Sequence, residues 1–245
     1  MNHLDKSIDF FVSDFLKKNR VLLTGSSGYI GSALSAFMSK HKNFIGVDKD
    51  AVIGDLIYEH QLDLNNKIEI GSLIKDFDPD IIFHCGTNSA LDYQKEFFSA
   101  FDEDWTSFKN IVDSNFNKSK RLVFFSSSYV YSGIKTNNID EEINLSPHHN
   151  FGNGKRFFEK QLLNTFPNSI IFRLSSVFGN GKPRSPNIIN NLINDGINKK
   201  EIVIWGHGNR QMQFVSIQDV INILAISSNM PPGVYNLASN DYLET

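Results

Sequence analysis

Residues 21 to 32, Val-Leu-Leu-Thr-Gly-Ser-Ser-Gly-Tyr-Ile-Gly-Ser, constrain the fold more than any other stretch, because an apolar run meets three glycines and then turns helical. Val21 to Leu23 read as a buried strand, and Ala33, Leu34, Phe37 and Met38 follow at helical spacing. The glycines mark the turn between the two elements. Gly25 can take backbone angles closed to other residues, Gly28 puts no side chain between main chain and a pyrophosphate, and Gly31 lets the helix pack close to the strand. The first N–H groups of the helix and its positive end then face the phosphates. The spacing is GxxGxxG rather than GxGxxG, and a ligand-free turn is the alternative. Its place between strand and helix, with an acidic residue about twenty positions on, favours a dinucleotide grip.

A chain of 245 residues can bury a sizeable core, as one large domain or one domain with a small appendage. With 40% hydrophobic and 21% charged residues it is of ordinary globular composition. A formal charge of -3 gives no general footprint for nucleic acid or an anionic membrane. A lone cysteine, Cys85, excludes an internal disulfide and a multi-cysteine metal site, so no metal and a cytoplasmic setting are expected. No apolar run approaches a membrane span, and Asp5, Asp9 and Asp14 stand where a secretory signal would be basic and then apolar.

Over residues 1–19, Leu4, Ile8, Phe11, Val12 and Phe15 fall at helical spacing, an amphipathic helix expected to pack on its own domain, with a homodimer contact as the alternative. Asn43 to Val47 read as a second strand ending at Asp48, whose carboxylate can accept the adenosine ribose hydroxyls and repel a 2′-phosphate. That favours NAD over NADP, and Lys49 beside it works the other way. Ile57 to Leu64 contain a third strand, ending in Asp63-Leu64, where a carboxylate and an apolar side chain can meet the adenine. A helix over 68–77 is broken by Asp78-Pro79-Asp80 before the buried strand Ile81-Ile82-Phe83. His84 reads as structural and Cys85 as a small buried hydrophobe, with Gly86, at that strand's cofactor end.

Residues 94–117 read as helical and Arg121 to Phe125 as another strand, so strand and helix alternate as in a parallel sheet covered on both faces. Ligands of such sheets bind beyond the strands' carboxyl ends, where Ser126-Ser127-Ser128-Tyr129-Val130-Tyr131 falls. A helix over 151–165 places Phe151 and Lys155 on one face. Ser169 to Leu174 form a further strand, and the Pro- and Asn-rich stretch 180–187 is a place for substrate contacts. A helix near 187–195, a strand near 201–205, the run Phe214 to Ile217, a helix from about Gln218 and a strand at Val234 to Leu237 complete the order.

TGSSGYIGS at 24–32, Asp48, Asp63-Leu64, DIIFHCG at 80–86, FFSSSYVYSG at 124–133, FGNGKRFFE at 151–159, FRLSSVFG at 172–179, GHGNRQMQFVSIQD at 206–219 and VYNLAS at 234–239 come in a familiar order. Together they resemble the extended short-chain dehydrogenase/reductase family, the NAD-dependent sugar-nucleotide epimerases, dehydratases and reductases. The resemblance implies an α/β fold, a Rossmann-type doubly wound parallel sheet with a small, shortened C-terminal substrate-binding part. It implies an NAD-binding domain over 20–175, with 213–230 packing back on it, and a substrate side from 176–212 and 231–245. It also implies NAD held by Gly25, Ser27, Gly28, Tyr29, Ile30, Gly31, Asp48, Asp63, Leu64, Cys85, Gly86 and Lys155. A nucleotide-sugar substrate would meet Ser128, Ser176 and Arg210.

In that family a tyrosine moves the proton, a lysine four residues later lowers its pKa and holds the nicotinamide ribose, and a Ser or Thr binds the reacting oxygen. By position, Ser127 is the hydroxyl and Lys155 the lysine, but Phe151 occupies the tyrosine's place and has no ionisable proton. A phosphate-binding arginine is expected where Met212 stands, with Arg210 two residues earlier. Relatives continue past the Val-Tyr-Asn strand, so a compact member or an incomplete chain is expected. The run from Ser127 to Gly133 looks most like the 4-keto-sugar reductases of the dTDP-4-dehydrorhamnose reductase kind, and Ser128 and Tyr129 replace the Asp-Glu pair of the dehydratases. Two functions follow as expectations: an NAD-dependent epimerase or reductase with a substitute acid such as His148 or His149, or an NAD-binding member that has lost catalysis and serves as a subunit or sensor.

Overall fold

Apolar runs too short for helices occupy the middle of the molecule, because strands covered on both faces have no side to offer water. The computed structural model describes residues 12–50, 59–114, 116–136, 139–181, 188–199, 201–202 and 211–244. β1 (Val21–Thr24), β4 (Ile81–His84) and β6 (Ile170–Leu174) are buried at every position. With β2 (Phe44–Asp48), β3 (Glu59–Gln61), β5 (Arg121–Ser127) and β9 (Gly233–Leu237) they form a seven-stranded sheet in the order β3-β2-β1-β4-β5-β6-β9. Every neighbouring pair is parallel. The chain runs outward from β1 to β3 and then crosses back to β4, so the order reverses between β1 and β4, where a crevice opens at the carboxyl ends.

Alternate strand residues go to opposite faces. Val21, Leu23, Phe83, Val123 and Phe172 pack with the helical residues 12–18 (α1), α2 (Tyr29–Met38) and α8 (Ile217–Ser227), through Phe15, Leu16, Leu34, Met38 and Val220. Leu22, Ile82, Leu122, Phe124 and Ile171 pack on the other side with α3 (Lys67–Phe77), α5 (Phe97–Asp113) and α6 (Asn150–Thr165), through Ile70, Ile74, Phe108, Ile111, Phe158 and Leu162. The N-terminal stripe therefore packs on its own domain where it is described, with Val12, Phe15 and Leu16 in the core. Leu4, Ile8 and Phe11 lie outside the described residues.

The helical stretch expected over 94–117 is two helices, α4 (Ala90–Lys95) and α5, divided at Glu96, whose φ of -142° is not helical. A second sheet holds β7 (Ser176–Phe178), β8 (Gln211–Ser216) and β10 (Tyr242–Glu244) in the order β10-β8-β7. α7 (Ile188–Asn198) carries no buried residue. Assigning all of 231–245 to the substrate side is corrected, since β9 pairs with β6 and completes the main sheet. The pattern of Val234 to Leu237 makes a strand but does not say which sheet receives it. Most of the strand expected near 201–205 lies outside the described residues, as does Arg210. No described helix is long and apolar enough to cross a membrane.

One polar network crosses this core. Arg173 on β6 and Glu159 on α6 are both buried and meet at 2.8 Å. Ser126 Oγ donates to Glu159, Arg173 donates to Tyr131 Oη at 2.7 Å, and Tyr131 donates to Asn236 on β9 at 2.6 Å. Burial opposes Arg173's charge, and Glu159 and Tyr131 outweigh that and raise its pKa. Arg173→Met strands the Glu159 carboxylate and is expected to lower unfolding free energy by about 3–5 kcal/mol in urea titration, most of it recovered by adding Glu159→Met.

Candidate active site

The carboxyl ends of β1, β2, β4, β5 and β6 open on one cleft of about 370 Å³. At its floor, Gly25 leaves β1 with φ 71°, in the left-handed region, and a Cβ there would lie 2.6 Å from Gly86 N. A Cβ on Gly31 would lie 1.9 Å from Gly25 O, so only glycine lets α2 descend this close to the strand. Gly28 is the N-cap of α2 and supplies no side-chain hydrogen bond, which leaves the cap open toward the cleft. Ser27 Oγ is buried beside it with no hydrogen-bond partner among the described residues. This cradle fits a dinucleotide's pyrophosphate.

Asp48, at the tip of β2, is buried with its carboxylate fixed by Ser27 N–H at 2.9 Å and Asp50 N–H at 3.0 Å. It lines the cleft, and so do Asp63 and Leu64. His84 is structural as expected. Its Nδ1 lies 2.8 Å from Thr24 Oγ1, and burial first, then Lys155, depresses its pKa to about 3 and keeps the ring neutral. Burial likewise raises the pKa of the Cys85 thiol and leaves it unreactive.

Lys155 enters from α6 with its amine buried. Nζ donates to Thr87 Oγ1 at 2.8 Å and to Phe125 O at 3.0 Å, and it lies 4.8 Å from the Phe124 ring centroid and 5.3 Å from that of Phe151. Phe151 thus sits at the cleft wall beside the lysine, its ring met edge-on by Tyr93 at 5.4 Å and by Tyr129 at 5.8 Å. Ser127 ends β5 and faces the same space, its Oγ accepting from Tyr129 N–H at 3.3 Å. Ser127, Lys155 and Phe151 therefore converge on one wall.

Of the residues singled out from the sequence, Ser27, Ser128 and Ser176 do not line the cleft. Ser128 is exposed at the start of the turn 128–131, and Ser176 points away because strand residues alternate, so Ser175 and Val177 line the cleft instead. Ser175 Oγ is buried with no hydrogen-bond partner among the described residues. His149 caps α6, its Nδ1 accepting from Phe151 N–H at 3.2 Å, and its ring lies 4.4 Å from that of Tyr129. Neither His148 nor His149 lines the cleft.

Sequence reading missed Asp104. It is buried on α5 and lines the cleft, with its carboxylate taking Asn88 N–H at 2.8 Å and the Tyr93 hydroxyl at 2.9 Å. A signal existed, since Asp104 interrupts the buried stripe of Ala100, Phe108 and Ile111. Burial raises its carboxyl pKa against the pull of Lys155 and of Asn88 and Tyr93, while burial lowers Lys155 to about 8.

A sequence model of the NAD dependent epimerase/dehydratase family matches residues 21–238. The chain belongs to that family. The resemblance to the extended short-chain dehydrogenases and reductases is thereby borne out, and NAD is the family's cofactor. The chain is similar to a dTDP-4-dehydrorhamnose reductase from Aggregatibacter actinomycetemcomitans, 26% identical over 161 residues, 65% of this chain and 52% of that protein. It is also similar to an uncharacterized UDP-glucose epimerase, YtcB, from Bacillus subtilis (strain 168), 26% identical over 228 residues, 82% of this chain and 70% of that one. The chain thus spans about half the reductase's length. The fold matches a UDP-N-acetylglucosamine 4-epimerase from Methanobrevibacter ruminantium M1, solved with UDP-N-acetylmuramic acid. There the TM-score is 0.78 at 20% identity, over 92% of this chain and 78% of that one.

The buried amine has a consequence for stability. Below pH 8 both states hold the Lys155 proton and folding bears the full cost of burying the charge. Between about 8 and 10.5 the unfolded chain keeps a proton the folded chain has released, so stability rises with pH. The unfolding free energy is expected to rise across that window by about 3 kcal/mol more than in Lys155→Met, measured by urea titration at a series of pH values.

Proposed function

We propose that the chain holds NAD in this cleft and acts by hydride transfer at a carbon of a nucleotide-activated sugar, as an epimerase or reductase. The observation that carries the reading is the convergence of Ser127, Lys155 and the Phe151 ring on the wall of a cleft whose floor is the Gly25–Gly31 cradle. NAD, when bound, supplies or accepts the hydride. Asp48 would accept the hydrogen bonds of the adenosine ribose, and Lys155 would donate to the hydroxyls of the second ribose. Ser127 spends a lone pair on Tyr129 N–H and keeps its own proton for the substrate's reacting oxygen. The exposed Ser128 and the cleft-lining Ser175, with Arg210 beyond the described residues, are the proposed sugar-side contacts.

Phe151 favours a second reading, in which NAD is bound and no turnover follows, because the ring beside Lys155 has no proton to give. The two readings separate in one experiment. The protein and Phe151→Tyr are incubated with NAD(H) and a panel of nucleotide sugars, following nicotinamide absorbance and product mass. Turnover by the unaltered chain establishes the enzyme and requires a substitute acid. If only the relay's hydroxyl is missing, Phe151→Tyr is expected to raise turnover by about 10²–10⁴-fold. NAD binding with no turnover in either protein decides for the binding role.

A further inference from the structure

The cleft rim carries an ion pair that neither the phosphate cradle nor the catalytic wall uses. Lys49 follows Asp48 out of β2, and its Nζ is paired with Glu103 on α5. The Lys49 backbone is held in turn, its carbonyl accepting from Gln61 Nε2 at 3.0 Å. Glu103 is held from the other side, where its Oε2 accepts from Asn88 Nδ2 at 3.1 Å. Asn88 is anchored on Asp104 by its backbone N–H at 2.8 Å and by Nδ2 at 3.0 Å. Asp48, Lys49 and Glu103 all line the cleft. At this end the cleft is lined by two carboxylates and one ammonium, and the ammonium is paired with the second carboxylate, Glu103.

We infer that Glu103 is a specificity-determining residue: by holding Lys49 it keeps the adenosine-ribose end of the cleft negative and selects NAD against its 2′-phosphorylated form. The inference rests on reading the cleft as the NAD site with Asp48 at the ribose. A lysine next to that aspartate is otherwise a ready partner for a phosphate dianion. Burial raises the Glu103 carboxyl pKa, and the hydrogen bonds of Lys49 and Asn88 outweigh it and keep the group ionised. The Lys49 and Glu103 side chains are 45% and 34% exposed, so the effect is that of a partly screened pair.

The test is isothermal titration calorimetry with NAD and NADP, read as the ratio of the NADP to the NAD dissociation constant. Glu103→Gln keeps the acceptor for Asn88 and removes the charge, and is expected to lower the ratio about fivefold. Adding Lys49→Ala is expected to return the ratio to that of the unaltered chain, and Lys49→Ala alone to raise it. The fall is expected to shrink as salt screens the charges. An unchanged ratio in Glu103→Gln, or an equal fall in the double variant, overturns the inference. Lys49→Ala, at an exposed side chain, tests it even where Glu103→Gln does not fold, since a ratio that fails to rise overturns it as well. Absence of NAD binding by the unaltered chain overturns the reading of the cleft itself, a result distinct from the others.

Discussion

A buried ammonium must be answered from several directions at once, and the elements around Lys155 are placed by that requirement. Dehydrating such a group costs several kcal/mol, more than one hydrogen bond returns. The compensation comes from the Phe125 carbonyl on β5, the Thr87 hydroxyl after β4, two aromatic faces and the Asp104 charge on α5. α6 reaches its depth because it begins with glycines. A Cβ at Gly152 would lie 2.2 Å from Tyr129 O, and one at Gly154 would lie 2.5 Å from Tyr93 Cε1. Those two absences of a methyl group set how far the helix, and the amine on it, can approach the sheet.

Much of this was legible because it is local. The glycine turn, the short apolar strands, Asp48 at a strand tip, and the four-residue interval from Phe151 to Lys155 all depend on neighbours in sequence. What was not legible depends on distance or phase. Asp104 belongs to the site only because α5 packs beside α6, and nothing near it in the chain names Asn88, Tyr93 or Lys155 as its partners. Ser175 and Ser176 differ by one step of strand alternation, which inverts the face each presents. The placement of β9 in the main sheet follows from pairing with β6, a choice made between strands more than fifty residues apart.

The molecule also divides by order of support. The cofactor side rests on seven paired strands and two apolar layers, and its polar groups are mostly tied to backbone or to one another. The smaller region, the proposed sugar side, rests on a three-stranded sheet and a helix with no buried residue. The glycine cradle and Asp48 are therefore set in fixed geometry, and the smaller region is held by fewer buried contacts.

Phe151 shows how little separates the two readings of that site. Its ring is met edge-on by two tyrosines and set beside the lysine, so on the proposed reading the difference between the two functions is one oxygen atom. Phenylalanine and tyrosine codons differ by a single base. In mutational distance the chain stands one nucleotide from the variant that the proposed relay calls for, at a position whose ring already has aromatic neighbours on two sides.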